Sequence, residues 1–186
     1  MADDRDELLA LLTRRSFVHR SDRPFQLASG RTSPYYLDGK KTTLDGRGAL
    51  LVGRLLFERL RGRNIQAIGG LTLGADPIAL AVAMTGALAG EPVRAFIVRK
   101  EPKGHGTGNW IEGGLDPASR VAVVEDVVTS GKSICQAIER IQAAGHLIVA
   151  AVALVDRDEG GAEAVRHACG LPLEALFHLK DFLPPT

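Results

Sequence analysis

One stretch decides the fold of this chain, Val121-Ala122-Val123-Val124-Glu125-Asp126-Val127-Val128-Thr129-Ser130-Gly131-Lys132-Ser133. The apolar run at 121–124 is typical of a buried strand, and a helical pattern begins near Ser133. Two acids, Glu125 and Asp126, therefore stand at the carboxyl end of a strand, and a turn of small residues leads from them into a helix. A strand that leads directly into a helix is typical of a sheet covered by helices.

The turn between the acids and the helix is suited to hold an anion. Its backbone N–H groups and the positive end of the helix dipole can converge on one phosphate. The neighbouring carboxylates can accept hydrogen bonds from sugar hydroxyls, so the stretch predicts a site for a phosphorylated ribose. The alternative is a capped helix beside two solvated acids, which is preferable for the acids alone but not for the whole stretch.

The end of this stretch also resembles a nucleotide-binding P-loop. That motif requires a glycine five positions before the glycine of Gly131-Lys132-Ser133. Asp126 occupies that position, and its charge would face triphosphate oxygens. An ATPase site is therefore excluded.

Short apolar runs alternate with helical patterns along most of the chain. We predict strands at 67–68, 94–98, 121–124 and 147–154, helices at 4–15, 46–61, 76–88, 132–144 and 161–168, and a last apolar run at 173–177. This alternation predicts an α/β fold in which a parallel sheet is covered by helices on both faces. Residues 22–43 show only short strand-like runs and turns, so we expect a small separate N-terminal lobe. Ligands of such sheets bind outside the carboxyl ends of the strands, where Glu125 and Asp126 stand.

The composition is that of an ordinary globular protein. The chain has 186 residues, of which 45% are hydrophobic and 24% charged, and its formal net charge is +1. These totals fit one domain and give no support for binding to nucleic acid or to a membrane surface. The acidic N-terminus is unlike a signal peptide and the apolar stretch 78–88 is too short to span a bilayer, so we expect a cytoplasmic protein. Cys135 and Cys169 are too few and too distant for a disulfide framework or a zinc site.

A long glycine-rich segment, residues 100–120, separates two of the predicted strands. Its start contains the cations Arg99, Lys100 and Lys103 together with His105. A loop of this length inside a compact domain is usually functional or disordered. A solvated basic loop is the alternative, but the phosphate site further along the chain favours a mobile lid that binds an anion.

Residues 121–133 resemble the phosphoribosyl-pyrophosphate motif of the type I phosphoribosyltransferases. The resemblance narrows to the orotate phosphoribosyltransferase family through further ordered segments, namely 25–30, 33–36, 69–77, 99–106 and 155–161. These matches extend from residue 25 to residue 161. The resemblance implies one domain over 1–186, with an N-terminal helix and hood at about 1–43 and a core at about 44–186 that includes the lid.

The family resemblance also implies a reaction, a cofactor and a partner. The phosphoribosyl group of phosphoribosyl pyrophosphate (PRPP) would pass to orotate, giving orotidine 5′-monophosphate and pyrophosphate in pyrimidine biosynthesis. Mg²⁺ would assist and would be held mainly through PRPP rather than by protein ligands. The lid would reach into the site of a second copy, so a homodimer with shared active sites is expected.

The resemblance assigns roles to residues of this chain. Glu125 and Asp126 would bind the ribose hydroxyls, with Val127 and Val128 continuing the motif. The 5-phosphate would be wrapped by Thr129, Ser130, Gly131, Lys132 and Ser133. The pyrophosphate side would be formed by Arg99, Lys100, Lys103 and His105, of which Lys103 and His105 are the candidate catalytic residues. Arg157 would bind the orotate carboxylate, Thr129 would also touch orotate, and Tyr35 and Tyr36 would cover its ring or serve only in packing.

Two departures from the family pattern affect the predicted cations. Many relatives carry a lysine where this chain has Ala28, and several carry Tyr-Lys where it has Thr72-Leu73. Lys40 or Lys41 is the candidate replacement, and the sequence does not choose between them.

Two alternative functions share the phosphate site. A purine-base phosphoribosyltransferase would keep 125–133 and change the base pocket, but Arg157 and residues 25–36 favour orotate. A non-catalytic regulator that senses PRPP could lose the lid residues, and would usually gain a basic patch or a helix-turn-helix. This chain retains Lys103 and His105 and has a net charge near zero.

Overall fold

The structure is a computed structural model, and it describes residues 2–20, 22, 24–26, 32–102 and 109–184. Its helices are α1 (Ala2–Arg15), α2 (Lys40–Thr43), α3 (Gly46–Leu60), α4 (Ala75–Leu88), α5 (Lys132–Ala143) and α6 (Gly161–Cys169), followed by a final 3₁₀ turn (Leu179–Phe182). Its strands are β1 (Phe17–His19), β2 (Phe25–Gln26), β3 (Thr32–Ser33), β4 (Tyr35–Leu37), β5 (Ala67–Leu71), β6 (Arg94–Val98), β7 (Ile111–Glu112), β8 (Arg120–Val128), β9 (Leu147–Asp156) and β10 (Leu173–His178).

The central sheet confirms the predicted α/β fold. Within the described residues it has six strands in the order β10-β9-β8-β5-β6-β7. The first five are parallel, and β7 pairs antiparallel with β6 at one edge. The sequence pattern does not predict β7, because a strand of two residues is too short for a periodic signal. The motif strand β8 lies between β5 and β9, at the interior of the sheet.

Helices cover both faces of this sheet, as the near-continuous apolar strands predict. Alternate residues of β8 point to opposite faces, with Val124 in the core cluster under α1, α3 and α4 and Val123 in the cluster under α5 and α6. Both valines are fully buried, and complete burial of such a side chain stabilises the fold by about 1.5–3 kcal/mol. The site at the end of β8 therefore rests on a strand fixed from both sides.

Strand β5 is longer than predicted because its glycines belong to the strand rather than to a turn. Gly69 and Gly70 are both buried in β5. A Cβ on Gly70 would collide with the carbonyl oxygen of Val124 and lie 2.8 Å from the Cβ of Ala75. The glycines thus allow β8 and α4 to approach β5 closely, a packing reason that sequence periodicity does not reveal.

The N-terminal strands form two small antiparallel pairs, β1 with β4 and β2 with β3. Helix α1 packs into the core, since Leu8 and Leu12 are fully buried in the same cluster as α3. The short helix α2 was not predicted. The hydroxyl of its Thr42 shares a buried hydrogen bond of 2.7 Å with the hydroxyl of Ser16. None of the helices within the described ranges combines the length and apolarity that a bilayer span requires.

Candidate active site

Two buried carboxylates stand near the carboxyl end of β8. Glu125 is 5% exposed and Asp126 is 7% exposed. Glu125 Oε1 accepts from the backbone N–H of Asp126 at 3.2 Å, and Asp126 Oδ1 accepts from that of Val127 at 2.9 Å. Glu125 Oε2 is buried and has no hydrogen-bond partner within the described residues. An acceptor that is buried without a donor costs stability, so a ligand that supplies a donor would be favoured here.

Burial raises the pKa of Glu125 well above its usual 4.5, and the adjacent charge of Asp126 raises it further. The charged form of Glu125 is thus disfavoured in the folded protein. A hydroxyl donor or a cation brought by a ligand would stabilise that charged form.

The turn after the acids encloses a small cavity of about 140 Å³. Its lining is Glu125, Val127, Val128, Thr129, Ser130, Gly131, Lys132, Ser133 and Ile134. Gly131 has φ of 80°, a left-handed conformation that glycine adopts without strain. No side chain caps the N-terminus of α5, so its first N–H groups and the helix dipole are available to an anion.

Lys40 is the cation that the structure places beside the acids. Its Nζ lies 2.8 Å from Asp38 Oδ1 and 3.5 Å from Asp126 Oδ2. Burial alone would lower the pKa of Lys40, but the hydrogen bond to Asp38 and the charge of Asp126 outweigh burial and raise it. Helix α2 thus supplies a positive charge next to the acids through Lys40, one of the two lysines between which the sequence did not choose.

Two glycines allow other segments to approach the acids. A Cβ on Gly39 would lie 2.9 Å from Asp126 Oδ2. A Cβ on Gly74 would collide with Asp126 Oδ1 and lie 2.7 Å from Glu125 Oε1. Both glycines have ordinary helical backbone angles, so their role here is close approach rather than an unusual conformation.

Arg157 lies beside the phosphate loop on the neighbouring strand end. Its backbone N–H donates to the carbonyl of Val128 at 2.9 Å, next to Thr129. The guanidinium is buried, donates from Nη2 to Ser33 Oγ at 3.0 Å and forms a 2.8 Å ion pair with Glu159. Its Nε is buried without a hydrogen-bond partner within the described part of the chain. The guanidinium therefore keeps one donor unused, and its residue adjoins the strand end that leads into the phosphate loop.

The two candidate tyrosines differ in their surroundings. Tyr35 stacks between Phe17 at 5.7 Å and His19 at 4.9 Å, as a packing residue would. Tyr36 stacks on Phe25 at 5.3 Å and is 41% exposed. Both follow Ser33, which contacts Arg157, so β4 begins close to the Arg157 guanidinium.

The described residues of the predicted pyrophosphate side lie two strands away from β8. Arg99 directly follows β6, and its side chain pairs with Glu112 at 3.2 Å rather than with the acids of β8. Lys100 is exposed. Lys103 and His105 lie outside the described residues.

A group of possible metal ligands lies next to Arg157. Within the described residues, donor atoms of Asp156, Asp158 and His178 lie within 4.8 Å of one another. His178 Nδ1 and Asp158 Oδ1 are 2.8 Å apart and already pair with each other. Burial raises the pKa of Asp156.

The fold and the position of this site at the carboxyl edge of its central strand define the class: the protein is a type I phosphoribosyltransferase. No protein-family model matches the chain. The chain is 44% identical over 180 residues to the orotate phosphoribosyltransferase of Aquifex aeolicus, covering 97% of this chain and 98% of the relative. It is 48% identical over 182 residues to that of Thermosynechococcus vestitus, covering 97% and 94%.

Solved structures agree with these relatives. Orotate phosphoribosyltransferase of Mycobacterium tuberculosis in complex with Fe(III) dicitrate is 40% identical with a TM-score of 0.83, covering 96% of this chain and 98% of that one. Its complex with PRPP matches at 38% identity with a TM-score of 0.79 over the same shares. The chain belongs to the orotate phosphoribosyltransferase family.

Proposed function

We propose that this protein transfers the phosphoribosyl group of PRPP to orotate, giving orotidine 5′-monophosphate and pyrophosphate in pyrimidine biosynthesis. One observation carries the proposal: the buried acids, the phosphate loop before the uncapped helix α5, and Arg157 all lie at the carboxyl ends of the neighbouring strands β8 and β9. The acids suit ribose hydroxyls, the loop suits a phosphate, and the guanidinium suits a carboxylate. These elements match three groups of the two substrates, namely the ribose hydroxyls and the 5-phosphate of PRPP and the carboxylate of orotate.

The reaction displaces pyrophosphate from the anomeric carbon of the ribose. Positive charge grows on the ribose ring and negative charge on the leaving pyrophosphate. We assign the ribose hydroxyls to Glu125 and Asp126, and the 5-phosphate to the loop from Thr129 to Ser133. Stabilisation of the leaving group is assigned to Arg99, Lys100, Lys103 and His105, with Lys103 as its main cation.

The base site is assigned to Arg157 and the N-terminal strands. Arg157 is held by Ser33 and Glu159 with its Nε unused, an arrangement that supports binding of the orotate carboxylate. Thr129, on the adjacent strand end, is assigned to orotate as well. Tyr36, the more exposed tyrosine, is better placed than Tyr35 to cover the ring. We retain the division into an N-terminal helix and hood at about 1–43 and a core at about 44–186 with the lid at 100–120.

Mg²⁺ fits the donor set of this site. Glu125 and Asp126 offer hard carboxylate oxygens, and Glu125 Oε2 is buried without a partner in the described residues. Mg²⁺ prefers oxygen ligands, keeps several waters and needs one or two carboxylates beside substrate phosphates. When bound, the ion would neutralise pyrophosphate charge, while most of its ligands come from PRPP.

We propose a homodimer that packs through an apolar face beside the active site. Leu44, Leu73 and Leu80 are more than half exposed and line a cavity of about 480 Å³ that also reaches Lys40. The face continues through Met84 and Leu88 on α4, which are 59% and 86% exposed. A contiguous apolar patch marks an interaction site. A second copy is the occupant that fits, because Leu73 precedes Gly74, and Gly74 lies against both acids. A partner on this face would therefore reach a shared site.

Sedimentation of the wild type and of Leu80→Glu tests the dimer. We expect a dimer for the wild type and a monomer with reduced turnover for the variant, because a buried unpaired charge opposes association. A wild type that is monomeric at micromolar concentration, or a Leu80→Glu dimer, contradicts this interface.

The loss of orotate's near-ultraviolet absorbance tests the reaction itself. The purified protein is mixed with orotate, PRPP and Mg²⁺, and each component is omitted in turn. We expect loss only when all are present. Turnover of a purine base instead would refute the assigned base pocket, and PRPP binding without turnover of any base would favour the regulator.

A further inference from the structure

We propose that Arg140 is a positioning residue for the pyrophosphate side of the active site. Arg140 lies on α5 and donates from Nη2 to the carbonyl of Lys100 at 3.1 Å. Its Nη1 donates to the carbonyl of Arg99. The inference rests on the proposed function, which places Arg99 and Lys100 at the pyrophosphate.

The same guanidinium also contacts Trp110, which follows Arg99 and Lys100 in the chain. Its Cζ lies 4.0 Å from the centroid of the Trp110 ring, within the range of a cation–π interaction. The two ends are joined directly as well, because the N–H of Arg99 donates to the carbonyl of Trp110 at 2.9 Å. Arg140 therefore fixes residues 99 and 100 and residue 110 relative to one another.

Only arginine can make this set of contacts. Its planar guanidinium carries five donors, so it can serve two carbonyls with its edge while its face lies on an indole ring. Lysine offers a compact ammonium that can lie near the ring but cannot match both carbonyls in one plane. The contact set thus makes specific demands at position 140.

Arg140 also connects Arg99, Lys100 and Trp110 to the phosphate loop through helix α5. Helix α5 begins at Lys132, and the first turn of this helix lines the phosphate cavity. Eight residues later, about 12 Å along the helix, Arg140 holds the backbone of Arg99 and Lys100. Helix α5 therefore holds the backbone of Arg99 and Lys100 at a fixed distance from the phosphate loop of the same chain.

Enzyme kinetics and tryptophan fluorescence test this inference in the full-length protein. Trp110 is the single tryptophan of the chain, so its emission reports directly on the ring that Arg140 contacts. We compare wild type, Arg140→Gln and Arg140→Lys, with Arg61→Gln as the matched control. Arg61 also lies over an aromatic ring, 6.0 Å from Phe57, and pairs with Glu91 on a surface outside the site.

We expect Arg140→Gln to raise the KM for PRPP about tenfold or more, with the KM for orotate within about twofold of the wild type. The KM of Arg140→Lys for PRPP should fall between those of the wild type and Arg140→Gln. Both KM values of Arg61→Gln should match those of the wild type. Mg²⁺-PRPP should change Trp110 emission in the wild type at lower concentrations than in Arg140→Gln.

Two results separate the possible failures. A wild type without orotate turnover refutes the proposed function, whereas an active wild type with unchanged PRPP constants in Arg140→Gln refutes only the positioning role. Equal changes in both KM values, or a loss of melting temperature with no selective effect on PRPP, would show a merely structural residue and also overturn the inference.

Discussion

Replacing Gly74 by alanine tests the close approach of this residue to the two buried acids. Gly74 precedes α4 with φ of −62° and ψ of −41°, angles that alanine adopts readily. The backbone therefore does not oppose the substitution. The added Cβ, however, would collide with Asp126 Oδ1 and lie 2.7 Å from Glu125 Oε1. Both acids are buried, so their carboxylates must shift inside the site to admit the Cβ.

The expected cost follows from two opposing effects. Overpacking of a buried site costs about 1–3 kcal/mol, while restricting the unfolded chain stabilises by about 0.4–1 kcal/mol. We expect Gly74→Ala to lose about 1–2 kcal/mol of unfolding free energy. In a chain of this size, such a loss lowers Tm by about 2–8 °C. Since the displaced carboxylates are those assigned to ribose, the KM for PRPP should rise about tenfold, equivalent to about 1.4 kcal/mol.

Gly46→Ala is the matched control. Gly46 begins α3, and a Cβ there would meet nothing within 4 Å. Its unfolding free energy should stay the same or rise by up to about 1 kcal/mol, and its kinetics should be those of the wild type. Urea denaturation, thermal melting and the orotate absorbance assay measure these quantities. A Gly74→Ala variant that behaves like Gly46→Ala would refute the close contact between this loop and the acids.

Three further substitutions test the charges of the site. Glu125→Gln should have a higher free energy of unfolding than the wild type near pH 7. The pKa of Glu125 is higher in the folded protein than in the unfolded chain, so the wild type loses stability as pH rises from 4.5 through the folded-state pKa. Glutamine has no charge to bury and does not lose this stability. Urea titrations should show the gap closing as pH falls toward 4.5, and a pH-independent gap contradicts this reasoning. Lys40→Met should raise the KM for PRPP by up to about tenfold and change stability by less than about 1 kcal/mol, since the side chain is 41% exposed; equal effects in the exposed neighbour Lys41→Met would refute the role of Lys40. Arg157→Lys should raise the KM for orotate about tenfold or more, because lysine cannot bind a carboxylate bidentately; an equal rise in the KM for PRPP would refute the carboxylate assignment.

The sheet and its covering helices were predictable because each depends on local patterns. The run at 121–124 is apolar at every position, and the structure buries every one of them. The small elements were not predictable. Strand β7 is two residues long and exists because it pairs with the edge of β6. Helix α2 is held by Ser16 through Thr42, a contact across 26 positions that no local pattern encodes.

The phosphate loop was predictable for the same reason, since its cavity is lined almost entirely by consecutive residues. Its surroundings were not. Lys40 reaches Asp126 across 86 positions, and Gly39 and Gly74 are recognisable as site residues only once the acids lie against them. Arg140 carries no local sequence signal, because two of its partners are backbone carbonyls, which any residue type presents, and the third, Trp110, is 30 positions away.

An acidic pair is an unexpected feature in a site for a substrate as anionic as PRPP. The structure reduces that negative charge in three ways. Burial raises the pKa of Glu125, so a smaller fraction of this side chain is charged at a given pH. Lys40 lies 3.5 Å from Asp126, and the uncapped N-terminus of α5 contributes positive potential at the phosphate loop. Because ribose hydroxyls donate to carboxylates, binding of the substrate would favour the charged form of Glu125. Substrate binding should therefore lower the pKa of Glu125, and PRPP affinity should weaken as pH falls below the raised pKa of the free protein.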